Sequence, residues 1–431
     1  MLHNGPVRQQ LSDDLPGASH CSEIAVHYRA VRALSESLAA PLSDADATLQ
    51  SMEDASPAKW HLAHTTWFFE SFVLRDHCPQ YRRFDERWPF LFNSYYEGEG
   101  ERLARGSRGL LSRPSLAEVM SYRSHVDAAM EPVLADPALA GLIALGLAHE
   151  QQHQELLLTD IKHALWSNPL GQAMWQEAVC RDTGFERPAA ASAAAATGRW
   201  NVHPGGIVEV GHDGAGFAFD CEGPRHRVLL EPFALAAATV TNAEWQAFID
   251  DGGYRAPALW LSDGWAWVQR ERIEAPLYWR GDGHFTLAGW QPRDPQAPVC
   301  HVSYYEADAF AAWTGARLPG EAEWEALAAL SDPCDGNQLH RAGAVSPCAD
   351  SAGSLFGNVW QWTRSAYLPY PRFRPAAGAV GEYNGKFMAG QFVLRGGSCA
   401  TPRGHCRASY RNFFYPHQRW QFTGLRLATD L

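Results

Sequence analysis

The chain changes texture near residue 190, and that change limits the possible folds more than any other feature. Before it, apolar residues recur at helical spacing and turn residues are sparse. After it, glycine, tryptophan and short β-branched runs alternate. Apolar side chains that repeat every three or four residues line one face of a helix. Short apolar runs bounded by Gly and Pro read as strands. The pattern predicts an α+β chain: a helical bundle over residues 1–185, a connector over 186–199, and an irregular unit of short strands and helices over 200–431.

Within the first part, four stretches read as helices: 22–42, 56–77, 115–135 and 138–167. Ser56 is the expected cap of the second, with Pro57 at its first helical position. Ser115 and Glu118 form a capping-box pattern before the third. "NPLG" stops the fourth. Four long helices suit an up-and-down bundle, in which metal sites form from side chains on facing helices. The connector, "ERPAAASAAAATGR", is flanked by Pro and Gly. Beyond it, "GGIVEVGHDG", "HRVLLEPFALAAATV", "FVLRGGSC" and "TGLRLAT" read as strands, with short helices at "TNAEWQAFIDDGG" and "GEAEWEALAAL".

Charge narrows the class of partner. Asp and Glu number 48 against 36 Lys and Arg, giving a net charge of −12 without long acidic runs. Such a surface disfavours nucleic acid and anionic membranes. There is no apolar signal core at the N-terminus and no run of 18 apolar residues, so a cytoplasmic enzyme is expected. The 9 cysteines are scattered without a C-x-x-C pair, which suits reduced thiols.

The chemistry concentrates in "LAHEQQHQE" (147–155). His149-Glu150-Gln151-Gln152-His153 satisfies H-E-x-x-H, and residues four apart lie on one helix face, where two imidazoles can grip one metal. A zinc hydrolase needs a third ligand. Thr159 stands where an extended zinc-protease motif would place a histidine, which leaves Glu177 as a downstream candidate. The second helix offers His61 and His64, one turn apart in "WHLAHTTWFFE". Either would complete a three-histidine set with positions left open, suited to zinc hydrolysis or to a non-haem Fe(II) that binds substrate and O2.

Long segments, in order, carry a resemblance: "SPAKWHLAHTTWFFE", "LFNSYYEGEGER", "RGLLSRPSLAEV", "AHEQQHQE", "HVSYYEADAFAAWTGARLPGEAEWE", "LFGNVWQWTRSAY", "GEYNGKFM", "VLRGGSCATP" and "YRNFFYPHQRWQFTGLRLA". The chain resembles the ergothioneine-biosynthesis sulfoxide synthase (EgtB-like) family. The resemblance implies a DinB-like four-helix bundle followed by a C-type-lectin-like domain of the formylglycine-generating-enzyme type. It implies Fe(II) held by His64, His149 and His153, with O2 as co-substrate, and makes Glu150 a helix residue rather than a general base. The acceptor implied is hercynine, Nα-trimethylhistidine, whose imidazole C2 receives a chalcogen. Gln152 and Asn412 would hold hercynine, with Phe413 and Phe414 as a wall. A quaternary ammonium cannot donate a hydrogen bond and is favoured beside aromatic faces. Tyr95 and Tyr96 take the place of the family's active-site tyrosines, where a phenol can supply a proton.

The departures from the family gather around the chalcogen donor. Relatives that use γ-glutamylcysteine carry an acidic residue and an arginine where Phe414 and Gln418 stand. Relatives that use cysteine carry a His at the place of Leu103, a Pro at Gly106 and Cys-Asn at Ala389-Gly390. They also carry carboxylates where Asn358 and Gln361 stand. Loss of charge in one pocket, with the iron and hercynine segments intact, points to a neutral donor. The resemblance is therefore to the selenoneine synthase variant, with a selenosugar rather than cysteine as donor and with Arg102, Asn358 and Gln361 among the donor contacts. Arg102, Arg105 and Arg108 would still serve a carboxylate, so cysteine is the alternative.

Overall fold

Helices α1 (Gly17–Ala39), α3 (Ala58–Phe68), α5 (Leu116–Met130) and α6 (Ala140–Ser167) form the bundle, with α2 (Asp44–Thr48) and α4 (Trp88–Phe92) as short helices between them. The chain is seen in a computed structural model that describes residues 17–176, 200–349, 353–375, 381 and 384–431. Glu177 and the connector expected over 186–199 lie outside the described residues. Helix α1 stops short of the expected residue 42 because Pro41 biases the residue before it away from helical dihedrals. Ser115 caps α5 as expected, and Glu118 closes the capping box.

The second helix departs from expectation twice. Pro57, not Ser56, occupies the cap position, and no side chain caps the helix there. Ser56 is used elsewhere: its N–H donates to Asp160 and its hydroxyl accepts from Arg108. The α-helical part ends at Phe68 and continues as a π-helical turn, Phe69–Arg75. Within that turn Glu70 is fully buried and accepts hydrogen bonds from the Tyr81 and Tyr122 hydroxyls and the Phe84 N–H.

Helices α3 and α6 approach closely at Gly146, where an added Cβ would lie 2.6 Å from the Phe69 ring. Glycine costs a helix interior roughly 1 kcal/mol relative to alanine. Here it admits Phe68 and Phe69 against α6, three residues before His149. Trp60, Trp67, Phe68, Phe69, Tyr122 and Leu158 share one core with Phe285, Leu287 and Phe422 from the C-terminal half, so the apolar interior runs across the seam between the two halves.

The C-terminal half is built from small sheets. Strands β1 (Trp200–His203), β4 (Phe233–Ala236) and β12 (Ala428–Asp430) form one in the order β1-β4-β12. A two-stranded ribbon pairs β2 (Gly206–Val210) with β3 (His226–Leu230), and β5 (Trp279–Arg280), β6 (Gly283–Thr286) and β7 (Gly289–Pro292) form a meander. A four-stranded sheet runs β10-β9-β8-β11, from β8 (Trp360–Ala366), β9 (Phe392–Arg395), β10 (Asn412–Phe414) and β11 (Thr423–Gly424); Trp360 of β8 donates to Glu155 on α6. Helices α7 (Asn242–Asp250), α8 (Ser262–Glu271), α9 (Tyr304–Trp313) and α10 (Glu321–Ala328) pack around these sheets. Among the described residues no helix is long and apolar enough to cross a membrane, and Cys78, Cys221, Cys300, Cys334, Cys348, Cys399 and Cys406 form no disulfide.

Candidate metal centre

Helix α6 presents His149 and His153 one turn apart, and α3 lies antiparallel across that face. A nitrogen from each of His64, His149 and His153 lies within 4.8 Å of the other two, and all three side chains are buried. Among the described residues this is the one group of three or more His, Cys, Asp or Glu close enough to share an ion. Of the two histidines that α3 offers, His64 joins the cluster. Its ring is sandwiched between Trp60 and Trp67, at 4.5 and 5.6 Å between centroids and nearly parallel to both. Its Nδ1 lies 2.6 Å from the Phe92 carbonyl oxygen. A carbonyl only accepts, so Nδ1 carries the proton and the Nε2 lone pair is left for a ligand.

Burial sets the charge state. It pushes the pKa of His64 and His153 well below the ordinary imidazole value and that of His149 down to about 4, and the neighbouring histidines add to the shift at His64 and His153. The cluster is therefore neutral at pH 7, the form in which imidazole binds metals. Two nitrogens on one first-row metal at ~2.1 Å stand at most about 4.2 Å apart, so small ring rotations suffice to close this set on an ion. Three neutral imidazoles without a carboxylate suit Fe(II), Zn(II) or a similar transition metal, and they leave coordination positions for substrate.

Glu150 points away from the cluster. Its carboxylate accepts from Arg32 and Arg123 at 2.9 Å each and from the Ser35 hydroxyl at 2.6 Å. Burial alone would raise its pKa, but the two guanidinium groups outweigh burial and hold it at about 2. A zinc-peptidase base must face the metal-bound water; this residue is an ion-paired strut between α6, α1 and α5. Thr159, at the place of a further motif ligand, bonds back to the Leu156 carbonyl.

The loop 93–108 lies beside α3. Tyr96 is buried, its ring against Phe72 and against Trp67, which itself stacks on His64. The Tyr95 hydroxyl accepts from Arg105 at 3.0 Å, its ring meets Phe387 edge-on at 4.8 Å, and its carbonyl accepts from Lys386. Arg102 pairs with Glu97 at 2.7 Å. Arg108 lies 3.4 Å above the Trp60 ring and donates to Ser56 and Ser94.

From the C-terminal half, Tyr410 reaches α6, where its hydroxyl accepts from Gln152 at 2.8 Å. His405 bridges the same hydroxyl to the Gln151 side-chain amide oxygen. Asn412 begins β10, and its side-chain amide oxygen accepts from the Phe413 N–H. Phe413 stacks on Tyr367 at 4.1 Å and faces Phe387 at 5.9 Å, while Phe414 meets Trp420 edge-on. Asn358 and Gln361 are committed within the protein. The Asn358 amide bonds Asn337 and both backbone groups of Cys348. The Gln361 amide bonds Trp324, Arg426 and the Leu355 carbonyl. Both therefore hold loops, a role that the change from carboxylate to amide did not reveal.

Sequence reasoning passed over several residues here. Glu155 accepts from Trp360 at 2.8 Å, from Thr401 at 2.9 Å and from Ser398. It ties α6 to the C-terminal half with neutral donors alone, and burial raises its pKa against their pull. Tyr410 opens the segment "YRNFFYPHQRW" without a role of its own there, His405 lies outside the family-like segments, and only their position opposite Gln151 and Gln152 gives them a part.

Residues 27–157 match the DinB superfamily, and residues 188–343 and 352–431 match the Sulfatase-modifying factor enzyme 1-like domain. Over 413 residues the chain is 34% identical to "Hercynine oxygenase" of Mycolicibacterium smegmatis, covering 87% of this chain and 91% of that protein. Over 448 residues it is 33% identical to "Hercynine oxygenase" of Mycobacterium tuberculosis, covering 95% and 99%. The "Formylglycine-generating enzyme" of Thermomonospora curvata matches at 28% over 288 residues, 53% of this chain and 92% of that protein.

Proposed function

This chain belongs to the hercynine oxygenase family, and we propose that it is an Fe(II)- and O2-dependent oxidoreductase that joins a chalcogen to C2 of the hercynine imidazole, with a selenosugar as the donor. The observation that carries the reading is the buried, neutral cluster of His64, His149 and His153. Bound there, Fe(II) would supply O2 activation and open positions for substrate.

In this reading the protein's own groups do the rest. Gln152 and Asn412 orient hercynine through their amides, and Phe413 and Phe414 offer aromatic faces to its trimethylammonium. The packed rings of Trp60, Trp67 and Phe68 keep bulk water from the imidazoles. Tyr95 or Tyr96 would supply a proton for the reduction of O2, while the C2–H proton leaves as the new bond forms; of the two, Tyr96 packs on a ring that touches His64.

The donor proposal rests on neutrality. Free cysteine brings an ammonium and a carboxylate, and both need charged partners. Of the nearby guanidinium groups, Arg102 is paired with Glu97, Arg105 with Tyr95, and Arg108 with Trp60 and two serines. Leu103, Ala389 and Gly390 add no charge, and the last two are exposed and small enough to admit a sugar ring. Asn358 and Gln361 have no part in this version, since their amides are committed elsewhere. The test incubates Fe(II)-loaded protein and hercynine in air with 1-seleno-glucose or with L-cysteine and reads product by mass. Selenium incorporation is expected. Efficient sulfoxide formation from cysteine, with none from the selenosugar, would make the chain a sulfur enzyme of the ergothioneine pathway. Product from neither donor would overturn the hercynine reading itself.

A further inference from the structure

His61 is the histidine of α3 that the metal cluster leaves out, yet it is buried and touches one of the cluster's members. Its Nδ1 lies 2.8 Å from Nδ1 of His153, and its Nε2 lies 3.1 Å from Oδ2 of Asp160. Asp160 follows His153 by seven residues on α6, so the two share a helix face. The same Asp160 oxygen accepts the Ser56 N–H at 2.8 Å. All three side chains of the chain Asp160–His61–His153 are buried.

The order of protons along this chain follows from what each atom can do. We infer that Asp160, through His61, fixes the tautomer of His153 so that its Nε2 lone pair faces the metal position. The Asp160 oxygen is an acceptor, so His61 carries its proton on Nε2. A neutral imidazole protonated at Nε2 has an unprotonated Nδ1. That nitrogen must accept, so the proton between the two rings belongs to His153 Nδ1. His153 is then left with a bare Nε2. The reverse order would put a proton on His153 Nε2, where it would block a metal bond, and would aim a lone pair of His61 at a carboxylate. His64 reaches the same tautomer through the Phe92 carbonyl. His61 and Asp160 are thus positioning residues: neither is a ligand, and both decide which nitrogen of a ligand is available. Outer groups of this kind commonly contribute 10- to 100-fold to metal affinity.

The inference rests on the metal-centre reading for its purpose but not for its test. Metal-free protein labelled with 15N-histidine gives long-range proton–nitrogen spectra that report each ring's tautomer. The expected result is His153 protonated at Nδ1 and His61 protonated at Nε2; a proton on His153 Nε2 overturns the relay. The variant Asp160→Asn, checked for folding by its melting temperature, is then titrated with Co(II). A loss of affinity of roughly 10- to 100-fold is expected, and a folded variant that binds Co(II) as tightly as the parent overturns the inference. If the variant does not fold, the parent spectrum decides. A parent protein with the expected tautomers that binds no Co(II), Fe(II) or Zn(II) leaves the relay standing and sinks the metal centre.

Discussion

His149 and Glu150 are neighbours in sequence and opposites in environment. The imidazole meets other neutral rings across α3; the carboxylate, about 100° further round the helix, meets two guanidinium groups from α1 and α5. One side of α6 is arranged to keep charge out, the other to neutralise it. Glu155, five residues beyond Glu150, is a third case: buried like Glu150 but held only by Trp360, Ser398 and Thr401. The same residue type therefore sits below its ordinary pKa inside the bundle and above it at the seam. A linear motif fixes residue types, while the neighbours fix what those residues do.

The contrast is tested hardest by single substitutions on the two sides. His149→Ala should abolish metal loading and turnover, measured by elemental analysis and product mass, since two imidazoles hold an ion far less tightly than three. Its folding stability should change by only about 1–2 kcal/mol. Glu150→Ala should do the reverse in order of cause. It removes the buried carboxylate that Arg32 and Arg123 share, leaving Arg32 with Asp127 and Arg123 with the more distant Glu36, at a cost of about 3 kcal/mol, read as a drop in urea midpoint, and any loss of metal should follow unfolding. Equal stability losses in the two variants would show that the two sides of α6 do not differ in this way.

Tyr96→Phe sharpens the imidazole side. It keeps the ring packing on Trp67 and Phe72 and removes only the hydroxyl, so turnover should fall by about 100-fold with substrate affinity preserved. The smallest effect is expected at the seam, where Glu155→Gln should change stability at neutral pH by about 1 kcal/mol.

The pH dependence separates the two glutamates by sign. The folded-state pKa of Glu150 is depressed, so its contribution is present above its ordinary value of 4.5 and is lost as pH falls toward about 2. That of Glu155 is raised, so its contribution is present below 4.5 and is lost as pH rises through the folded value. Stability profiles of Glu150→Gln and Glu155→Gln should therefore diverge from the parent at opposite ends of the acid range; parallel profiles would show that the two carboxylates share one environment.

Much of this was legible in advance. The helical half, the strand-rich half, the Ser115–Glu118 cap and the His149–His153 pair all follow from spacing, because residues three, four or seven apart share a helix face in any context. The Ser56 cap failed because Arg108, 52 residues away, uses that hydroxyl. The π-turn after Phe68 was not visible either, since nothing in "FESFVLR" announces that Glu70 will accept three hydrogen bonds from outside the helix. Asn358 and Gln361 looked like pocket residues because carboxylates had become amides; their partners Asn337, Trp324 and Arg426 show loop-holding instead.

The sequence by itself determined which side chains share a face of α6, and so that His149 and His153 could act together. Spacing left His61 and His64 both open and the family resemblance favoured His64; the tertiary structure brings His64 into the cluster, and it alone decided that His61 and Asp160 stand behind His153 and that Glu150 is braced by Arg32 and Arg123. The physical reason is range. Periodicity is a local property of the backbone, whereas the charge and protonation of a buried group are set by whatever packs within a few ångströms of it. For Glu150 those groups come from 118 and 27 residues away along the chain.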